Sequence, residues 1–63
     1  MINFDETNLD IIKIYDLDSE GVHHIGAFYR ALKYYFKAES ECLLFLDDLR
    51  DITNKLKKLN AKN

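Results

Sequence analysis

The segment DLDSEG at residues 16–21 carries the residue types that bind calcium. Its acidic side chains alternate, and its glycine stands where an EF-hand loop makes a sharp turn. A loop that starts at Asp16 needs a bidentate acid at its twelfth position, but that position is Ala27. The segment is therefore predicted to be a turn between two helices, in which Asp18 or Ser19 accepts hydrogen bonds from free backbone N–H groups.

Five further side chains have chemistry that could serve a metal site or a reaction. Adjacent residues on a helix point about 100° apart, so His23 and His24 do not readily share one metal and are predicted to face solvent. Cys42 lies in an apolar stripe, where a thiol is an inert small hydrophobe without a neighbouring base. Asp47 and Asp51 lie one turn apart among basic residues, as on a solvated face. The sequence predicts no enzyme, no metal and no cofactor.

A basic flank is the remaining candidate site. Arg30, Lys33 and Lys37 share one side of a predicted helix beside Tyr34, and such a set could contact phosphate and stack on a base. The formal net charge of −2 does not favour general attraction to nucleic acid. Two interpretations stay open: a weak nucleic-acid contact, or lysines that lie over a small core with their charged ends in water.

Three helices would have to position these residues. Apolar spacings of three and four residues predict helices over about 6–16, 19–37 and 41–60. A strand in the first segment is disfavoured because adjacent Ile11 and Ile12 break the alternation of a half-buried strand. The third helix has the most regular stripe, with acids at its start and lysines at its end. Its apolar positions are Cys42, Phe45, Leu49, Ile52, Leu56 and Leu59.

The whole chain, residues 1–63, is predicted to be a single all-α domain, a small helical bundle. A chain of this length buries only about 60% of the surface that its unfolded form exposes. One cysteine excludes an intramolecular disulfide, so packing or a partner must supply stability. The longest apolar run, residues 42–46, is far shorter than the roughly 20 residues of a membrane span. A cytoplasmic location without membrane association is expected.

That apolar run, CLLFL, is also the predicted interaction surface. Its side chains project in nearly every direction around a helix, so two short neighbouring helices do not cover them all. Leu43 and Leu44 lie off the main stripe and are the predicted contacts for a protein partner or a second copy of the chain.

The opening INFDETNLDIIKIYD, residues 2–16, resembles the start of the transposon-transfer assisting protein family, small bacterial proteins encoded within conjugative transposons. The positions that fit are Phe4, Glu6, Leu9, Ile12, Ile14 and Tyr15. The resemblance implies a helical layout and a context in DNA transfer, without a reaction or catalytic residues. In the family the following turn tends to carry Gly-Thr-Arg, whereas this chain has Asp-Leu-Asp-Ser-Glu-Gly, so no role of that arginine carries over.

Two hypotheses for function follow. The leading one is a non-enzymatic helical interaction protein, an accessory of conjugative transposon transfer that docks through an apolar helix face. The alternative is a nucleic-acid-binding accessory that uses the basic flank and the C-terminal lysines.

We expect calcium at physiological levels to leave the melting temperature unchanged, because the twelfth-position acid of a calcium loop is missing. Thermal unfolding with and without calcium checks this. A saturable rise in the melting temperature would restore the segment as an ion site.

Overall fold

The computed structural model describes residues 1–39 and 45–61 of the chain. It is an α+β domain with four strands followed by one C-terminal helix. The elements are β1 (Ile2–Asp5), β2 (Ile11–Asp18), β3 (Gly21–Arg30), β4 (Tyr34–Ala38) and α1 (Leu46–Ala61). The strands form one antiparallel sheet in the order β1-β2-β3-β4, so each strand pairs with the next strand in the chain.

The prediction of an all-α helical bundle is wrong. The segments predicted as the first two helices, 6–16 and 19–37, fold instead mainly as β2, β3 and β4. The pair that argued against a strand explains the error. Ile12 is fully buried beneath α1, while Ile11 is 37% exposed on the opposite side of the sheet. Two adjacent apolar residues fit a strand when both faces of the sheet carry apolar side chains.

The core lies between the sheet and α1, and Phe28 is at its centre. Phe28 is fully buried and stands opposite Ile12 on β2 and Phe36 on β4. Its ring stacks on that of Phe4, with centroids 5.7 Å apart, and makes a T-shaped contact with the ring of Phe36, with centroids 6.1 Å apart. Ile52 of α1 packs into the same cluster. Four elements therefore converge on one side chain.

Strand β3 contains a β-bulge at Ile25, a residue of this core. Ile14 pairs with Gly26 and Tyr15 pairs with His24, so Ile25 is an extra residue without an opposite partner. A Cβ atom on Gly26 would stand 2.6 Å from the carbonyl oxygen of Lys37. The position therefore has room for glycine alone.

Of the third predicted helix, 41–60, the part from residue 46 is confirmed as α1 (Leu46–Ala61), whereas Phe45 precedes the helix and residues 41–44 lie outside the described residues. Asp48 accepts a hydrogen bond from the Phe45 N–H at 3.3 Å, as the third helical residue does in a capping box. The stripe packs unevenly, since Ile52 is 3% exposed and Leu49 is 41% exposed. The predicted contacts Leu43 and Leu44 lie outside the described residues.

We expect Ile52→Ala to lower the free energy of unfolding by about 2 to 5 kcal/mol, because a buried Ile is replaced by a cavity. Leu49→Ala is the matched control, because Leu49 lies one turn earlier on the stripe and is partly in water. Urea unfolding of both variants measures the difference. Equal losses would place Leu49 in the core and contradict the observed packing.

Candidate functional site

The sheet has a second face that no described element covers. We call it the open face, and it consists of side chains that alternate with the core residues along β2, β3 and β4. Around the buried Ala27, its exposed and half-buried members are Ile11, Lys13, Tyr15, Leu17, Val22, His24, Tyr29, Tyr35 and Lys37. Six of these nine side chains are aliphatic or tyrosine. The face is therefore both apolar and accessible to a partner.

Aromatic rings are arranged in two cross-strand pairs on the open face. Tyr29 and Tyr35 stack with their centroids 5.8 Å apart and their planes 25° apart. The rings of Tyr15 and His24 have their centroids 5.3 Å apart. His24 Nδ1 also lies 3.2 Å from a carboxylate oxygen of Glu39. Paired rings lose little conformational freedom when a partner covers them, so they are suited to serve as anchors.

Two lysines stand between these aromatic pairs. Lys13 and Lys37 are the cross-strand neighbours of Ala27, one on each side. Ala27 has a one-carbon side chain and is only 3% exposed, so its neighbours cover it and the two lysines flank the centre of the face. Asp5 stands opposite Lys13 on β1 and supplies an acid at the margin.

The four residues predicted to contact nucleic acid do not form one site. Arg30 pairs with Asp10 and Lys33 lies between β3 and β4. Tyr34 is 8% exposed, and its hydroxyl donates to the Leu9 carbonyl at 2.7 Å. Lys37 alone of the four belongs to the open face. The helical flank that joined them in the prediction does not exist in this fold.

DLDSEG is a turn, as predicted, but it joins two strands rather than two helices. Asp18 pairs with Gly21 across a two-residue loop, and the Glu20 N–H donates to Asp18 Oδ1 at 2.8 Å. Gly21 has a φ of +127°, which favours glycine. His23 Nε2 lies 3.3 Å from the same Asp18 oxygen. The described residues contain no group of three or more side chains suited to hold a metal ion.

The resolved pKa shifts in the described ranges follow from surface contacts. The Glu20 N–H lowers the pKa of Asp18, and the Thr7 hydroxyl lowers that of Asp5. A hydrogen bond to Asp16 raises the pKa of the Met1 ammonium. Because the two aspartate pKa values are lowered on folding, their stabilising contribution is present above the unfolded pKa and is lost as the pH falls through the lowered values.

The helix caps the outer edge of β4 at its first residue, Tyr34. The Tyr34 N–H donates to Asn60 Oδ1 at 2.8 Å, and Asn60 Nδ2 donates to the Tyr34 carbonyl at 3.1 Å. The carboxamide thus occupies the place of the next strand at this point. The same contact fixes the C-terminal end of α1 at the beginning of β4.

The outer edge of β1 is different. The Leu17 N–H donates to the Met1 carbonyl at 2.8 Å. Because hydrogen-bonded residues alternate along an antiparallel pair, the N–H and C=O groups of Asn3 point towards β2, and those of Ile2 and Phe4 point outwards. Among the described residues, no side-chain carboxamide bonds to these outward groups as Asn60 bonds to Tyr34. Ile2 and Phe4 also line a cleft of about 280 Å³ between β1 and α1.

Helix residues one turn apart form the far wall of this cleft. They are Asp51, Asn54, Lys55 and Lys58. Lys55 Nζ lies 3.1 Å from a Glu6 carboxylate oxygen and 5.7 Å from the centre of the Phe4 ring. The cleft therefore has an apolar side formed by β1 and a charged wall formed by α1.

Comparison with models of protein families, with curated proteins and with solved structures finds no match for this chain. Within residues 1–39 and 45–61, no helix is long and apolar enough to cross a membrane. The open face and the β1 cleft were both missed at the sequence level. The one available signal was the density of β-branched and aromatic residues between Ile11 and Phe36, which is typical of strands.

We expect Asn60→Ala to lower the free energy of unfolding by about 1 to 3 kcal/mol, since two hydrogen bonds to an edge strand are lost. Alanine has the higher helix propensity, so a loss cannot come from the helix itself. Urea unfolding and exchange of the Tyr34 amide measure the effect, with exposed Lys57→Ala as the control. Equal stability of the two variants would show that the carboxamide does not hold the edge.

Proposed function

We propose that this chain is a non-enzymatic binding module that docks a protein partner on the open face of its sheet. The observation that carries the proposal is the paired rings on a face that the described elements leave uncovered: Tyr29 with Tyr35, and Tyr15 with His24. Tyrosine is enriched at protein interfaces, where its ring supplies contact area and its hydroxyl a hydrogen bond.

The exposure of the aliphatic side chains supports the same assignment. Val22 is 63% exposed and Tyr35 is 50% exposed, although both belong to regular strands, each as its second residue. A contiguous apolar surface of this kind marks a site of interaction in a small domain. Lys13 and Lys37 add a requirement for the partner, namely a carboxylate placed between these two lysines.

A single-stranded nucleic acid is the competing occupant, because stacked rings beside lysines also fit bases and phosphates. The charge of the face favours a protein. Its two lysines are flanked by Asp5 and Glu39, and the chain as a whole has a net charge of −2. Nucleic-acid affinity depends on the number of phosphates that are neutralised, which would be two at most here.

The mode of docking therefore differs from the one predicted from the sequence. A helix-face contact through Leu43 and Leu44 falls outside the described residues, and the sheet supplies the surface on which we base the proposal. An accessory role in conjugative transposon transfer stays a prediction that rests on the resemblance of residues 2–16.

The test starts from a protein recovered by cross-linking in cells that produce the chain, then purified and measured for direct binding. We expect Tyr35→Lys to weaken this binding by about tenfold or more, because it places a charge in the centre of an aromatic contact. Leu32→Lys is the matched control, since Leu32 is 98% exposed in the connection between β3 and β4, outside the open face.

A thymidine oligonucleotide serves as the second probe. Binding to it that falls steeply with salt and is lost in Lys13→Gln/Lys37→Gln would assign the face to nucleic acid instead. Equal binding of the purified protein by Tyr35→Lys and Leu32→Lys would also contradict the proposal, because the contact would then lie elsewhere on the chain.

A further inference from the structure

We propose that two copies of this chain pair through β1, antiparallel about a two-fold axis at Asn3, so that their sheets join into one. This inference concerns the edge of the sheet and the β1 cleft, and it does not rest on the function assigned to the open face. The backbone pattern of β1 and the order of charges along the cleft favour a second copy of this chain as the occupant of the β1 edge.

The backbone pattern of β1 is self-complementary. Ile2 and Phe4 both direct their N–H and C=O groups outwards, while the N–H and C=O groups of Asn3 between them point towards β2. With the axis at Asn3, Ile2 stands opposite Phe4 of the second copy, and the two residues exchange a pair of N–H···O bonds. The symmetry-related pair, Phe4 opposite Ile2 of the second copy, adds two more backbone hydrogen bonds. Four backbone groups on each copy are thereby satisfied without any change in the fold.

Side chains of the same residues would extend the core across the junction. Ile2 and Phe4 lie on the helix side of the sheet and are half-buried against the Phe28 cluster. Directly opposite side chains in an antiparallel pair are about 5 Å apart. The exposed parts of Ile2 and Phe4 would therefore cover each other in the pair.

The direction of α1 determines how its charges meet. Asn60, near the end of α1, binds Tyr34 at the beginning of β4, so α1 runs opposite to β4. Strands β1 and β4 also run in opposite directions, because the sheet is a four-stranded antiparallel meander. It follows that α1 runs in the same direction as β1 along the cleft.

The charge order along the cleft is then complementary to itself. Asp51 lines the cleft near one end and Lys58 lines it seven residues later, about 10 Å along the helix. A two-fold axis near the midpoint brings Asp51 of each copy towards Lys58 of the other. Two acid–base pairs result, one on each side of the axis.

Lys55 is the group that could oppose this pairing, because it lies close to the axis in both copies. Its ammonium is 3.1 Å from Glu6 of its own chain, so the two like charges are each accompanied by an acid. Asn54 is uncharged. The net interaction across the axis is therefore determined by Asp51 and Lys58.

The other edge of the sheet makes β1 the edge available for pairing. Asn60 blocks β4 at Tyr34, whereas β1 has no proline, no bulge and no lysine within Ile2–Asp5. Proline, a bulge and an edge lysine are among the features that keep an edge strand from pairing.

Charge reversal tests the proposal. We expect Asp51→Lys and Lys58→Asp, each alone, to raise the dissociation constant of the dimer by about tenfold, because two exposed pairs change from attraction to repulsion. An equimolar mixture of the two variants restores both pairs, so a heterodimer with wild-type affinity is expected. Sedimentation from micromolar to millimolar protein measures these constants. Asp47→Lys is the control, since its side chain is 92% exposed outside the cleft.

A second variant tests the backbone. Ile2→Pro removes the outward N–H of Ile2 but no N–H that bonds to β2, so we expect a folded monomer. Ile2→Val keeps the N–H and is expected to form the dimer. Circular dichroism confirms that each variant is folded.

A wild-type monomer at millimolar concentration would overturn the proposal and leave the edge to an extended peptide of another protein. So would a mixture of Asp51→Lys and Lys58→Asp that associates no better than either variant alone, because the antiparallel register requires that rescue.

Discussion

The structure depends on the packing of one helix against one face of a four-stranded sheet. Ile52 enters the cluster around Phe28, and Leu56 and Leu59 pack at its margin. A sheet of this size needs a partner layer to bury its apolar face. Residues 1–39 and 45–61 supply one helix for that purpose, so within this part of the chain the opposite face and the β1 edge are left for other contacts.

The helix also determines which edge is left. Its side chain Asn60 satisfies the backbone of Tyr34 on β4, and this contact fixes the direction of α1 relative to the sheet. At β1 the helix instead forms one wall of a cleft. The open face and the β1 edge are thus both consequences of how a single helix covers the sheet. Pairing through β1 would place two open faces on the same side of one continuous sheet, which doubles the surface offered to a partner.

The sequence predicts the C-terminal helix and the turn at DLDSEG, because both depend on local features. The helix has a stripe with acids at its start and lysines at its end, and the turn has Asp18 and Gly21. The strands could not be recognised by alternation alone. Ile11 and Ile12 lie on different faces that are both apolar, and the bulge at Ile25 shifts the period within β3. The abundance of β-branched and aromatic residues was the better guide.

The candidate surfaces were less accessible to sequence reasoning than the fold. Lys13 and Lys37 are 24 positions apart and meet only because both are cross-strand neighbours of Ala27. Asp51 and Lys58 share the cleft with Ile2 and Phe4 only through the direction of α1. Such long-range neighbours depend on strand order and register, which no local pattern of this chain specifies.

Amide hydrogen exchange along β1, measured by NMR at low protein concentration, distinguishes this sheet from a helical N-terminal half. The sheet predicts alternation, with the inward amides of Asn3 and Asp5 protected and the outward amide of Phe4 exchanging rapidly. Protection that runs continuously through residues 6–16, as in a helix, together with rapid exchange at Asn3 and Asp5, would contradict the account.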